Sequence, residues 1–216
     1  MKSFFTAAAV AGVLAFAATT AQAAVYDLTG GNATQGSFTV NDLTITSGRA
    51  INPSGQGYNN AYVQDSGNVT RNTNGMGVRS AGDGSGEVDG YGNDDVLIFS
   101  FDSAVKLISA EFTNVDYDVF TLWFDDDGNG SLYGDRVGTG NPGDPFGGLY
   151  TFTSDYIGTL FGFGAESSND YWRVASITAN SISAVPVPAA LPLFGAALLG
   201  MGFLARRRKQ KAALQA

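Results

Sequence analysis

The sequence predicts an all-β protein: an antiparallel β-sandwich, jelly-roll-like, flanked by an N-terminal signal helix and a C-terminal transmembrane helix. Three observations lead to this fold class. Apolar and polar residues alternate in short runs, the period-two pattern of strands with one buried face. Segments rich in Gly, Asn, Asp and Ser separate these runs. Between residues 24 and 184, no apolar pattern with helical spacing persists over three turns.

The first 23 residues have the layout of a secretory signal peptide. Lys2 gives a positive start, and residues 4–18 are almost entirely apolar. Ala21-Gln22-Ala23 then forms a small-x-small site, so we predict that signal peptidase cleaves between Ala23 and Ala24. The alternative is a buried N-terminal helix.

We expect residues 24–184 to form one β-sandwich domain. Early strands are predicted at residues 25–29 and 37–46, the second interrupted by a turn or bulge at Asn41-Asp42. The clearest alternation places three sets of residues on shared faces: Leu97, Phe99 and Phe101; Ile108, Ala110 and Phe112; Phe120, Leu122 and Phe124. Further strands are predicted at residues 61–63, 76–79, 149–153, 156–165 and 171–182, and the rest of 47–93 and 127–148 is predicted as loops.

Residues 185–216 combine a Val-Pro motif, an apolar span and a basic end. Residues 189–205 carry no charge and approach the minimum length of a membrane-spanning helix. Five basic residues follow within six positions: Arg206, Arg207, Arg208, Lys209 and Lys211. Positive charge holds the C-terminus in the cytoplasm, so with an N-terminal signal the body crosses the membrane. A core helix with a solvated basic end is the alternative.

This tail resembles a known sorting signal. Val185, Pro186, Val187, Pro188 and Ala189, with the Leu/Gly/Ala-rich span and Arg-Arg-Arg-Lys, resemble the VPLPA-type PEP-CTERM signal of Gram-negative bacteria, although that variant usually has Leu where Val187 stands. The resemblance implies recognition by an exosortase-type transpeptidase in the inner membrane. It further implies cleavage near the Val-Pro motif, then delivery to the cell surface or an exopolysaccharide matrix. The alternative is a tail that stays uncleaved and anchors the protein permanently.

The segments GMGVRS, GEVDGYGNDDVLIFSFD and YWRVASITA also look like the lectin-like sandwich modules that PEP-CTERM proteins often carry. This second resemblance lies in their pattern of residues. It implies that the sandwich contacts polysaccharide and that an acidic loop carries a structural Ca²⁺.

The composition excludes several functions. Six of the twelve Lys and Arg residues lie in the two terminal segments. Residues 24–184 therefore contain six Lys and Arg and all twenty Asp and Glu, which gives them a formal charge of −14. A body this acidic lacks the basic footprint of nucleic-acid binding. The chain has no Cys, hence no disulfides, and no His, hence no Ser-His-Asp or Cys-His catalysis and no His-ligated metal. We therefore expect a protein that is not an enzyme; the alternative is a polysaccharide hydrolase or lyase that uses carboxylates, Tyr or Arg.

Two acidic segments predict structural Ca²⁺. Asp125, Asp127 and Asn129, followed by Gly130, match the first half of a calcium loop, in which alternate residues turn their oxygens inward. An EF-hand is excluded because Arg136 stands where a bidentate Glu is needed, but Asp135 could complete a looser site. Glu87, Asp89 and Asp94 (with Asp95) form the second cluster, where Ca²⁺ could bridge a loop to the next strand. The alternative for both segments is an acidic turn exposed to solvent.

Several aromatic residues are candidates for stacking on sugar rings. Tyr58, Tyr91 and Tyr133 lie in polar loops and are the predicted sugar contacts. Trp123 and Trp172 lie in predicted strands, where we expect them to pack in the core.

Overall fold

The structure, a computed structural model, describes residues 22–50, 67–80, 84–90, 94–115, 118–132, 136–141, 148–165 and 167–182. Within these ranges the chain forms thirteen β-strands and no helix, which confirms the all-β prediction. Accordingly, this part of the chain contains no helix with the length and apolar character needed to cross a membrane. The two predicted flanking helices lie outside the described residues.

All strand pairings are antiparallel. In chain order the strands are β1 (Ala23–Asp27), β2 (Ala33–Gln35), β3 (Ser37–Val40), β4 (Leu43–Ala50), β5 (Gly67–Asn72), β6 (Gly75–Ser80), β7 (Val88–Asp89), β8 (Asp94–Thr113), β9 (Phe120–Phe124), β10 (Arg136–Gly140), β11 (Gly148–Thr151), β12 (Ile157–Ala165) and β13 (Tyr171–Ser181).

The long strand β8 changes its partners half-way. Its residues 94–101 pair with β4, and residues 96–100 pair with β12. β12 in turn pairs with β9, and β9 with β10. The second half of β8, residues 105–113, pairs with β13, and β11 lies on its other side. β13 also pairs with β1, β6 and β7, so two groups of strands meet through β8.

β8 bends back on itself between these halves. Phe163 is the β12 partner of Leu97, yet its ring centroid lies 5.9 Å from that of Phe112. Fifteen residues of straight strand would separate Leu97 from Phe112 by about 50 Å. The register with β12 also shifts in this region, from Val105 to Ser100 over two residues of β12. The two predicted runs at 96–101 and 108–112 are therefore the two arms of one bent strand.

The core forms where aromatic rings from the two groups of strands meet. Phe112 stacks on Phe120 of β9 with centroids 4.7 Å apart and meets Trp172 of β13 edge-on at 5.2 Å. Tyr26 of β1 meets Phe101 of the first half of β8 at 5.3 Å. Such edge-on and stacked pairs are the favoured geometries of aromatic contacts.

A second, smaller cluster lies on the other face of β9 and β12. Trp123 is fully buried there, packed with Ala50, Val96, Ile98 and Leu132. The glycines of β12 make room for it, since a Cβ atom at Gly164 would lie 2.7 Å from the Trp123 ring. Trp123 and Trp172 are both completely buried, which confirms that they are core residues.

Some predicted boundaries are wrong. Residues 47–50 were expected in a loop but continue β4, because they pair with β8 up to Ala50. β10 likewise lies in the predicted loop 127–148, and β2 and β5 were not anticipated. These strands are polar or glycine-rich, so their sequences lack the alternation that predicts a strand. The turn at Asn41-Asp42 is confirmed, with Asn41 in the left-handed region at φ 57°.

The predicted face of Ile108, Ala110 and Phe112 is also wrong at its first position. Ser109 faces Thr178 and Leu107 faces Ala179, so Ile108 is the extra residue of a β-bulge. The fully buried side chains are therefore those of Leu107, Ala110 and, nearly so, Phe112, while Ile108 is only partly buried. A bulge shifts the alternation by one residue, and a strict period of two cannot show it.

Candidate functional site

The acidic loop after β9 uses its carboxylates to bind its own backbone. Asp125, only 4% exposed, accepts hydrogen bonds from the N–H groups of Asn129 at 3.0 Å and Gly130 at 2.8 Å. Asp127 accepts from both the backbone N–H and the side-chain amide of Asn129. Gly128 and Gly130 take φ values of 72° and 76°, which close the turn. The loop is thus a turn capped by aspartate side chains.

The second predicted cluster contributes to an acidic pocket of about 300 Å³. Its lining residues are Ser85, Glu87, Asp89, Ser168, Asp170 and Tyr171. Asp89 is buried and accepts a hydrogen bond from the Ser85 hydroxyl at 2.7 Å. Asp170, which the sequence did not single out, reaches the pocket because β7 pairs with β13, placing Tyr171 opposite Asp89.

Asp94 and Asp95, which are adjacent in sequence, occupy different environments. Burial, together with the charge of Asp89, raises the pKa of Asp94 to about 6. Asp95 is completely buried and stands opposite Arg49 in the β4–β8 pairing. Successive side chains of a strand point to opposite faces, so only Asp94 belongs with Asp89.

Glu87 is engaged with neighbouring side chains. Its Oε1 accepts a hydrogen bond from the Asn114 amide at 2.8 Å and lies 3.9 Å from Nε of Arg173. Glu87 therefore neutralises a buried cation, as well as lining the acidic pocket.

Across the ranges that the structure describes, no three acidic side chains converge closely enough to hold a metal ion. In the second predicted group, the charge of Asp89 acts on Asp94. In the first, the Asp125 carboxylate binds the loop backbone.

Several predicted site residues lie outside the described part of the chain. They are Asp135, the candidate sugar contacts Tyr58, Tyr91 and Tyr133, and the sorting motif Val185, Pro186, Val187, Pro188 and Ala189.

The predicted signal-cleavage site lies at the start of the first strand. Ala23 pairs with Asn180 and Ala24 with Ala179, so β1 runs beside the end of β13. Cleavage between Ala23 and Ala24 would remove only the first residue of β1 and would leave its buried Tyr26 in place.

The structure also gathers cations that are far apart in the sequence. Arg71, Arg79 and Arg173 line one pocket of about 240 Å³. About a hundred residues separate Arg71 from Arg173, and the pairing of β13 with β6 and of β6 with β5 brings them together. No local sequence motif could therefore have predicted this pocket.

Comparison with family models, with curated proteins and with solved structures finds no match to this chain.

Proposed function

We propose that this is an exported, exosortase-sorted β-sandwich protein of the cell surface or extracellular matrix, and that it is not an enzyme. After export it would be anchored transiently in the inner membrane. The observation that best supports the proposal is the position of the described strands relative to the two predicted processing sites. β1 starts at the predicted signal-cleavage site and β13 ends at Ser181, four residues before the Val-Pro motif. Processing at both predicted sites would thus remove only Ala23 from the strands that the structure describes.

A two-layer, jelly-roll-like sandwich is the finer fold that we propose. One layer would contain β4, the first half of β8, β12, β9 and β10. The other would contain β11, the second half of β8, β13, β6 and β5. The bend of β8 and the ring contacts of Phe112 with Phe120 and Phe163 support this arrangement, because inner faces of a sandwich interdigitate in this way.

Mass analysis of both termini tests the sorting proposal. The chain is recovered from the membrane and extracellular fractions of a Gram-negative host that carries an exosortase, and each terminus is identified by mass. A mature start at Ala24 and loss of residues beyond about 186 are expected. An extracellular chain that still ends at Ala216 would refute sorting by cleavage, and a membrane-bound one would establish the permanent anchor instead.

We further propose that Ca²⁺ stabilises the folded body through Asp89 and Asp94. Carboxylate oxygens are the ligands that Ca²⁺ prefers, and two coupled carboxylates gain stability from a shared cation. Asp125 fits less well because its two oxygens already accept backbone N–H groups.

Removal of calcium tests this proposal. At a Ca²⁺ concentration of about 100 Kd, binding adds about 2.7 kcal/mol, so EGTA should lower Tm by about 5–10 °C. Asp94→Asn should abolish this difference, whereas Asp102→Asn, at an exposed position of β8, should retain it. An identical Tm with and without EGTA would refute the proposal that Ca²⁺ stabilises the fold.

A second candidate function, a polysaccharide hydrolase or lyase, has one observation in its favour. Burial, together with the charge of Asp89, raises the pKa of Asp94 to about 6, and a raised pKa beside a second carboxylate is the pattern of an acid–base pair. Release of reducing ends or unsaturated sugars from a panel of glycans, lost in Asp94→Asn, would establish this activity. Binding of glycan without any product would favour the non-enzymatic function.

A further inference from the structure

The pocket lined by Arg71, Arg79 and Arg173, called the arginine pocket below, concentrates positive charge in an acidic protein. Three of the six Lys and Arg of residues 24–184 line it, and its lining residues in the described part of the chain include no Asp or Glu. The same residue range carries a formal charge of −14. Such segregation of charge marks a place where an anion is favoured locally.

Arg173 is the buried cation among the residues that line the arginine pocket. The residue is 6% exposed, and its Nη1 donates a hydrogen bond to the Thr70 hydroxyl at 3.3 Å. Its Nε is buried without a hydrogen-bond partner among the described residues and lies 3.9 Å from Glu87. Burial lowers the pKa of Arg173, and the Glu87 carboxylate opposes this effect. Since a guanidinium has five N–H donors, and buried donors are normally satisfied, this cation can accept a further anionic partner.

Arg71 is fixed beside it by an aromatic contact. Its guanidinium carbon lies 4.9 Å from the centre of the Phe38 ring, a cation–π geometry, and its buried Nε likewise has no hydrogen-bond partner among the described residues. Arg79 is exposed and completes the pocket from β6. Two of the three cations are therefore held in place by contacts with neighbouring side chains, and the third, Arg79, is exposed.

The other lining side chains suit a sugar. The amides of Asn32 and Asn72 and the hydroxyl of Thr34 can bind sugar hydroxyls, whereas the hydroxyls of Thr70 and Ser85 already donate to the Gly86 carbonyl and to Asp89. The volume of about 240 Å³ is below the roughly 300–1,000 Å³ of pockets that enclose whole drug-sized ligands. The space therefore suits one charged sugar unit.

We propose that the arginine pocket binds the carboxylate of a uronic acid unit in an acidic polysaccharide. The planar fork of arginine matches a carboxylate, and the neighbouring amides and hydroxyls bind the ring hydroxyls. The assignment of the carboxylate to a polysaccharide rests on the proposed function. The binding of an oxyanion by the three arginines does not depend on that function. Repulsion from the acidic body is screened over about 8 Å at physiological ionic strength, whereas the arginine contacts are direct.

Titration of the full chain in mild detergent tests this inference. Sodium glucuronate, glucose and inorganic phosphate are compared by calorimetry, so that the sugar ring and the oxyanion are examined separately. Arg79→Gln and Arg71→Gln each remove one positive charge from the pocket. Lys106→Gln removes one elsewhere, from a partly exposed side chain paired with Asp155.

The expected result is saturable binding of glucuronate, with no binding of glucose. Arg71→Gln and Arg79→Gln should each raise the Kd for glucuronate about tenfold, because each removes one charge-assisted hydrogen bond. Lys106→Gln should leave this Kd unchanged. Equal weakening by all three variants, or no binding of either anion by the folded wild type, would overturn the site. Phosphate binding as tight as that of glucuronate would overturn the uronate assignment. Export and C-terminal processing of the same variants report on the proposed function independently.

Discussion

Replacement of Phe112 by Ala should cost a large part of the stability of the fold. Phe112 is 1% exposed, and its ring contacts those of Phe120, Phe163 and Trp172 from three different strands. A buried Phe→Ala substitution costs about 3–5 kcal/mol, and its multiple ring contacts place Phe112 in the upper half of that range. Against a total of about 5–15 kcal/mol, a loss of about 4 kcal/mol leaves a marginal fold.

Urea unfolding of the full chain in mild detergent, followed by tryptophan fluorescence, measures this loss. With an m-value of about 2 kcal/mol/M, the midpoint should fall by about 2 M at unchanged m. Leu149→Ala is the matched control, because Leu149 is 65% exposed on β11 and its truncation should change stability by no more than about 0.5 kcal/mol. A double-mutant cycle with Phe163→Ala should give a coupling of about 0.5–1.5 kcal/mol. A Phe112→Ala cost below about 1 kcal/mol, or zero coupling, would refute the bend of β8 and the packing derived from it.

Two further pairs of substitutions test the acidic pair and the smaller cluster. The folded state keeps a proton on Asp94 up to a pH of about 6, whereas the unfolded chain loses it near 3.8, so the free energy of unfolding should fall as pH rises between these values. Asp94→Asn should remove that component of the pH dependence in urea unfolding, and Asp89→Asn should reduce it; an unchanged profile in both variants contradicts the coupling. Gly164→Val should lower stability by about 1–3 kcal/mol because the added atoms collide with the Trp123 ring. Gly36→Ala, where an added Cβ meets nothing within 4 Å, should be neutral, and equal melting temperatures for both glycine variants would refute the packing.

The strands that bury one face could be predicted because burial imposes alternation. Leu97, Phe99 and Phe101, and likewise Phe120 and Leu122, alternate as expected and are buried. β5 and β10 escaped prediction because their sequences, GNVTRN and RVGTG, contain one apolar residue each. Such strands form through pairing with neighbours that are distant in sequence, so no local pattern could have indicated them.

The candidate sites, too, could be predicted only where their residues are close together in the sequence. The turn formed by Asp125, Asp127 and Asn129 could be found because its residues are contiguous, and its hydrogen bonds are local. The approach of Asp170 to Asp89, and the arginine pocket, depend on the pairing of β13 with β6 and β7. A single sequence carries no signal for contacts of that kind.

The position of β13 also constrains the order of export and folding. β13 pairs with β1, β6, β7 and β8, so the strands cannot complete their pairing until residues 171–181 are present. On the proposed route these residues are the last part of the body to cross the membrane, immediately ahead of the Val-Pro motif. The predicted signal-cleavage site is itself paired with Asn180 and Ala179 in the folded body, and a peptidase needs an unpaired, extended segment. On the proposed route, signal cleavage would therefore have to precede the pairing of β1 with β13, and the apolar tail would keep the chain at the membrane while that pairing forms.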